Sequence, residues 1–245
     1  MGKRPNKYIQ HMCAEYGVVE PYHAVSLFVD SRRSDSDSLE SLCCKLGVAE
    51  ILREDIDFEG GVFREDTRFI IKLNARSPAT RQRFTLAHEL AHLMMALEKT
   101  TYARRSFTQT DMESTCDMVA AELLMPYKEI QEQAAGNASL DKLLTITHNF
   151  QVSFQAAAMR ISNLKLWKHS FGFWKWDKGA HELWFVGKKL WLTPRPFFVA
   201  FDIAMQNSQT VKRRELYDWH NGEVRSALIE VRKIGQEYLL ALVLG

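Results

Sequence analysis

Arg83-Phe84-Thr85-Leu86-Ala87-His88-Glu89-Leu90-Ala91-His92-Leu93-Met94-Met95 is the stretch from which the rest of the chain is read. Two histidines stand four residues apart, with a glutamate directly after the first. On a helix, residues i and i+4 lie one above the other on the same face. Both imidazoles therefore reach one metal ion, at roughly 2.0–2.1 Å if that ion is zinc. Glu89 is placed to take a proton from a water that such an ion activates. Ala87, Leu90, Ala91, Leu93, Met94 and Met95 are helix-compatible and largely apolar, so the helix is expected to be buried around a dry pocket. The bland account is a buried helix with two hydrogen-bonded histidines.

A catalytic zinc site needs three protein ligands and one open position. The next helical pattern downstream runs from Asp111 to Met125 and stops at Pro126. Met112, Cys116, Val119, Ala120, Leu123 and Leu124 recur along it at helical spacing. Glu113 is the expected third ligand. Asp117, one turn further on, is placed to accept the second N–H of a ligating histidine and so fix its tautomer. Glu122 is the rival acid, but it lies on another part of the helix, so the two cannot share one ion. Asp111 reads as an N-cap or first-turn acid. The loop of residues 100–110 between the two helices carries Arg104 and Arg105.

The block RFTLAHELAHL at residues 83–93, followed by E-x-x-C-D-x-x-A-A-E-L-L-M-P at residues 113–126, resembles the ImmA/IrrE family of metallopeptidases. The weaker segment Val152–Ile161 resembles that family's closing helix, and the likeness covers about residues 20–164. Cys116 stands where alanine is usual, and Val119 where an aromatic is common. The resemblance implies a zinc-type, HExxH peptidase of the cytoplasm with a zincin-like fold. It further implies cleavage of a helix-turn-helix repressor, which induces stress, phage-defence or mobile-element genes. It carries His88, Glu89, His92 and Glu113 onto the roles of ligand, base, ligand and ligand. Zn²⁺ suits a His₂Glu set, and Mn²⁺ is the alternative.

The 245 residues carry a net charge of +2 and are 46% apolar, enough for one large domain or a medium one plus a small one. The charge is uneven. Residues 165–245 hold 13 Lys/Arg against 8 Asp/Glu, whereas the remainder holds 19 against 22, and all six tryptophans lie after residue 164. This predicts two domains, 1–164 and 165–245. The fold class expected is α+β: a mainly helical peptidase domain with a small sheet, then a β-rich, GAF-like sensor or binding domain. The GAF-like part is analogy. No apolar run approaches the ~18 residues of a membrane span, and no secretory leader is visible, so a cytoplasmic protein without a membrane partner is expected.

The four cysteines form no disulfide pattern. Cys13 lies in a segment, residues 1–19, ahead of the core. It reads either as a small buried hydrophobe or as an inhibitory ligand that closes the open metal position.

Along the first domain, residues 20–30 and 38–46 read as helices, with Gly47 as the stop. Residues 62–74 read as one strand, whose apolar part, 69–74, is a candidate edge for an extended substrate. Helices follow at 127–135 and 139–163. The second domain reads as strands at 171–176, 183–186, 189–192, 197–203 and 238–244, with 224–232 as either a strand or a short helix.

Lys165, Trp167, Lys168, Trp174, Lys175 and Trp176 interleave cations with aromatics, the pattern by which single strands are bound: cations track phosphates and rings stack on bases. The competing account is a hydrophobic β core with solvated lysines on its outer face. A ligand of this kind, single-stranded DNA, would serve as an activator of a peptidase that must otherwise be held off. A different class also fits the chain: a regulator that binds DNA or a partner and uses its metal only structurally.

Overall fold

A computed structural model describes residues 6–34, 37–97, 108–167, 169–176, 180–186, 203–206, 211–218, 224–235 and 238–244. The chain is α+β and forms two compact units. One comprises Met1–Glu129 with Phe150–Val152, and the other Ile130–Asn149 with Ser153–Gly245. The shift in charge and tryptophan content near residue 164 thus falls inside the second unit.

The first unit begins with α1 (Lys7–Glu15), α2 (Pro21–Asp30) and α3 (Leu39–Lys45). Asn6 caps α1 by accepting the amides of Tyr8 and Ile9, and Ser38 caps α3 by accepting that of Ser41. Pro21 sits in the first turn of α2, where its missing N–H costs nothing. Gly47, with φ of 79°, turns the chain out of α3 into β1 (Val48–Glu54). β2 (Gly60–Glu65) and β3 (Arg68–Asn74) follow.

These strands form a sheet in the order β1-β3-β2, with β1 parallel and β2 antiparallel to β3. Two expectations are corrected here. Residues 62–74 are not one strand but parts of a hairpin that turns at Asp66, whose φ is 52°. Aspartate tolerates that left-handed conformation, so no glycine marks the turn. Residues 69–74 are also not an edge: β3 is paired on both sides, and among the described residues the free edges belong to β1 and β2.

α4 (Ala79–Ala96) packs on β2, β3 and α5 (Gln109–Leu124), and α5 also receives α1 and α2. Leu86, Ala87, Leu90, Ala91, Leu93, Met94 and Met95 of α4 are buried, as its apolar composition requires. Thr108 caps α5 by accepting the Asp111 amide, and the Asp111 carboxylate accepts the Thr108 hydroxyl at 2.8 Å. Asp111 is thus a first-turn acid in a reciprocal cap.

The second unit contains α6 (Tyr127–Ala134) from Ile130 onward, α7 (Leu140–Phe150) up to Asn149, and α8 (Phe154–Asn163). The sequence reads 139–163 as one helix. The structure breaks it at Gln151, which has φ of 53°, and restarts it at Ser153, which accepts the Ala156 amide. Five strands follow: β4 (His169–Trp176), β5 (Ala180–Val186), β6 (Val211–Asp218), β7 (Val224–Ile234) and β8 (Tyr238–Leu244). They form an antiparallel sheet in the order β5-β4-β8-β7-β6. Leu239, Leu240, Ala241 and Leu242 of β8 are all fully buried. Successive side chains point to opposite faces, so both faces are covered at the centre of this sheet. Buried Glu230 accepts the Leu140 amide at 2.8 Å, and Arg232 pairs with Asp141 at 2.9 Å, which ties β7 to the start of α7. The strand expected at 189–192, and that at 197–203 up to residue 202, lie outside the described residues.

Candidate metal centre

α4 and α5 build the site. His88 and His92 lie one turn apart on α4, with their Nε2 atoms 3.2 Å from each other. Glu113 of α5 brings Oε2 to 3.1 Å from His88 Nε2 and 3.5 Å from His92 Nε2. Three donors of a tetrahedral zinc ion at about 2.0–2.1 Å lie about 3.3–3.4 Å apart. The triangle formed by His88, His92 and Glu113 has that size, so these residues fit a zinc-type ion.

Each donor is held from behind. His88 turns Nδ1 to Asp117 Oδ1 at 3.0 Å, so that with an ion on Nε2 the ring proton would reside on Nδ1 and Asp117 would accept it. Burial pulls the His88 imidazole toward its neutral form, but Asp117, Glu89 and Glu113 outweigh it and raise its pKa above the ordinary value. Glu113 Oε1 accepts a short hydrogen bond from the Gln109 side chain, one turn earlier on α5. Gln109 was not singled out from the sequence. Its spacing of four from Glu113 was the available signal.

Glu89 sits half-buried between His88 and the next turn. Burial raises its carboxyl pKa, while the nearby His92 and His88 and a hydrogen bond from the Val62 amide of β2 oppose that rise. The result is a carboxylate more basic than usual, as a proton acceptor requires.

Cys116 of α5 is fully buried, and its sulfur lies 3.3 Å from His92 Nδ1. One donor atom each from His88, His92 and Cys116 falls within a mutual 4.8 Å. Glu113 makes the closer contacts to both Nε2 atoms, and Cys116 reaches His92 through the other ring nitrogen. Burial drives the Cys116 thiol well above its ordinary pKa. The distances favour Glu113 over Cys116 as the third donor.

Other residues singled out from the sequence lie elsewhere. Glu122 is 1% exposed and accepts the Tyr127 amide at 2.8 Å, so the rival acid caps α6. Cys13 faces the Val19 carbonyl at 3.9 Å and does not join the donors. Trp167 is buried and donates its indole N–H to the Ala134 carbonyl at 2.7 Å, which leaves no ring face for a base to stack on. Lys165 is exposed just after α8, with φ of 54°. Trp174, Lys175 and Trp176 belong to β4 by their backbone. Lys168, Arg104 and Arg105 lie outside the described residues.

Residues 43–162 match the family described as the IrrE N-terminal-like domain, Peptidase M78. No curated protein matches the chain. A solved structure described as a Mycobacterium tuberculosis transcriptional regulator is similar, with a TM-score of 0.54 and 15% identity over 98% of this chain and 81% of that one. At that identity the likeness is one of fold. Among the described residues, no helix is long and apolar enough to cross a membrane.

Proposed function

Through its IrrE N-terminal-like domain at residues 43–162 this chain belongs to the ImmA/IrrE (M78) peptidase family, and from that premise we propose that it is a metal-dependent, site-specific endopeptidase. One observation carries the reading: Nε2 of His88, Nε2 of His92 and Oε2 of Glu113 converge at 3.1–3.5 Å. His88, His92 and Glu113 would hold the ion, Zn²⁺ by the donor chemistry with Mn²⁺ as the alternative. When bound, it would supply Lewis acidity to the scissile carbonyl and lower the pKa of the attacking water toward neutrality.

Glu89 accepts the proton of that water and returns it to the leaving amine. Its raised pKa suits both steps, since a weaker acid is a better base and its conjugate acid still donates. Asp117 and Gln109 keep His88 and Glu113 aimed. An extended substrate segment pairs along the outer edge of β2, beside Glu89. This position is supported by the packing of α4 on β2 and by the Val62 amide, which points to the Glu89 carboxylate.

The substrate we propose is a helix-turn-helix repressor, whose cleavage induces stress or phage-defence genes. The family resemblance supports this, and the fold shared with a protein described as a transcriptional regulator agrees with it. The second unit is proposed as a GAF-like sensor, with single-stranded DNA as the activating ligand. The excess positive charge of residues 165–245 and the aromatics of β4 support that ligand, and Trp167 is not part of the contact surface. A second reading follows the fold shared with a protein described as a transcriptional regulator: a regulator that binds without cutting, in which a fourth protein donor would close the site and make the metal structural.

The test is cleavage of the repressor encoded beside the protein, by the full chain with Zn²⁺, with and without single-stranded DNA. Discrete fragments that disappear with Glu89→Gln are expected. An intact repressor in every condition, from a protein that has bound zinc, would overturn the peptidase reading in favour of the structural one.

A further inference from the structure

His88 and His92 are held differently. The imidazole of His88 has a carboxylate behind it. The imidazole of His92 has the sulfur of Cys116, 3.3 Å from Nδ1. Cys116 and Asp117 are consecutive, so their side chains leave α5 about 100° apart. One turns inward and is fully buried, and the other turns outward with 60% of its side chain exposed. Consecutive positions of one helix thus serve the outer nitrogens of two histidines spaced four apart on the next.

The two nitrogens of an imidazole point away from each other, so an atom bonded to one cannot share an ion with the other. The inner nitrogen of His92 faces His88 Nε2 at 3.2 Å and Glu113 Oε2 at 3.5 Å. The sulfur stands on the opposite side of the ring. Once the Nε2 lone pair is committed to an ion, the ring proton resides on Nδ1, and the only role left to the sulfur there is that of acceptor.

We infer that Cys116 is a positioning residue for His92: its sulfur accepts the Nδ1–H and turns Nε2 toward the donors of His88 and Glu113. It is not a metal ligand and touches no substrate. The place of the buried sulfur on the far side of the ring from the other donors supports this. Sulfur is a weak acceptor, so His92 is held less firmly than His88. The inference rests on the assignment of His92 as a ligand.

The experiment uses the full chain and Zn²⁺ alone, with affinity measured by chelator competition for wild type, C116A, C116S and H92A. The His92 ring N–H is read by NMR on the zinc-bound wild type, C116A and C116S. Wild type is expected to show a His92 Nδ1–H protected from exchange with water. C116A should lose that protection and about 10–100-fold in zinc affinity, and C116S, which keeps an acceptor, should stay within about threefold of wild type. Unchanged protection and affinity in C116A would overturn the inference. So would an unprotected His92 Nδ1–H in wild type, which can be read even if C116A fails to fold. A thiolate-to-metal charge-transfer band in the Co²⁺-substituted wild type, lost in C116S, would also overturn it by making Cys116 a ligand. If H92A binds zinc as tightly as wild type, the assignment of His92 as a ligand falls with it. If H92A loses zinc while C116A does not, only the inference about Cys116 falls.

Discussion

Asp117 Oδ1 lies 3.0 Å from Nδ1 of His88 while the same ring presents Nε2 to Glu113 Oε2 at 3.1 Å. Both acids come from α5, one turn apart, and they grip one α4 imidazole from its two ends. The ring cannot rotate without breaking one of the two contacts. The Asp117 carboxylate is well exposed, so its contribution is one of aim more than of stability.

Asp117→Asn is therefore expected to fold normally and bind Zn²⁺ about 10–100-fold more weakly. Chelator competition measures the affinity, and a urea titration serves as the control for folding. Affinity equal to that of wild type would remove Asp117 from the site.

Gly60→Ala tests the contact between sheet and metal helix. A Cβ at Gly60 would lie 2.6 Å from Thr85 Cγ2 and 2.7 Å from the Lys72 carbonyl oxygen. The second of these is backbone, so β2 must move. A destabilisation of about 1–3 kcal/mol is expected, read as a lower urea midpoint. An unchanged midpoint would mean that β2 is free to shift away from α4.

Asn6 joins α1 to α5. Its side-chain oxygen accepts the Tyr8 and Ile9 amides at 2.9 and 3.1 Å, and its Nδ2 donates to the Asp111 carbonyl at 3.0 Å and to the hydroxyls of Ser114 and Thr115 at 2.6 and 3.1 Å. Asn6→Ala should cost about 1–3 kcal/mol. Asn6→Asp keeps the cap and loses the donor, so its denaturation midpoint should fall between those of alanine and wild type.

Tyr8 gives a pH dependence with a definite sign. It is 1% exposed, and burial first, then the neighbouring Cys116, push its pKa from 10.0 to about 12. The folded state therefore resists ionisation that the unfolded chain accepts. Stability from this group is intact below pH 10 and is lost as pH rises from 10 to about 12, by roughly 2–3 kcal/mol in all. Urea unfolding at several pH values across that window should show a shallower decline for Tyr8→Phe than for wild type. Parallel declines would show that folding leaves the Tyr8 pKa unshifted. Cys43, pushed up to about 11 by burial, adds its own loss at slightly lower pH in both proteins.

The helices of the site were legible because their signals are local. The spacing of His88 and His92, the periodic apolar face of α5, and Gly47 at the end of α3 each act within a few residues. The sheet of the first unit was not legible in the same way. Asp66 makes its turn without glycine, and Glu50, Arg53 and Glu54 disguise β1 among charges. Which strand lies at the edge depends on β1 pairing with β3 about 20 residues later, and no local pattern records that. Gln151 breaks a helical pattern by its backbone conformation alone. Trp167 looked like part of a cation–aromatic surface because sequence alternation does not reveal that the Ala134 carbonyl lies within reach of its indole.

In the second unit, β8 stands between β4 and β7, although it follows both along the chain. The β4-β5 hairpin pairs with it on one side, and the β6-β7 hairpin on the other. Each hairpin therefore keeps an open edge until residues 238–244 arrive, and the pairing of β4 with β8 must close a loop of about 60 residues. Such late, long-range closure makes for slow folding and leaves unpaired edges exposed to other chains in the meantime. The sheet is then cooperative in a strict sense: losing one strand divides it into two hairpins, neither of which buries a core by itself.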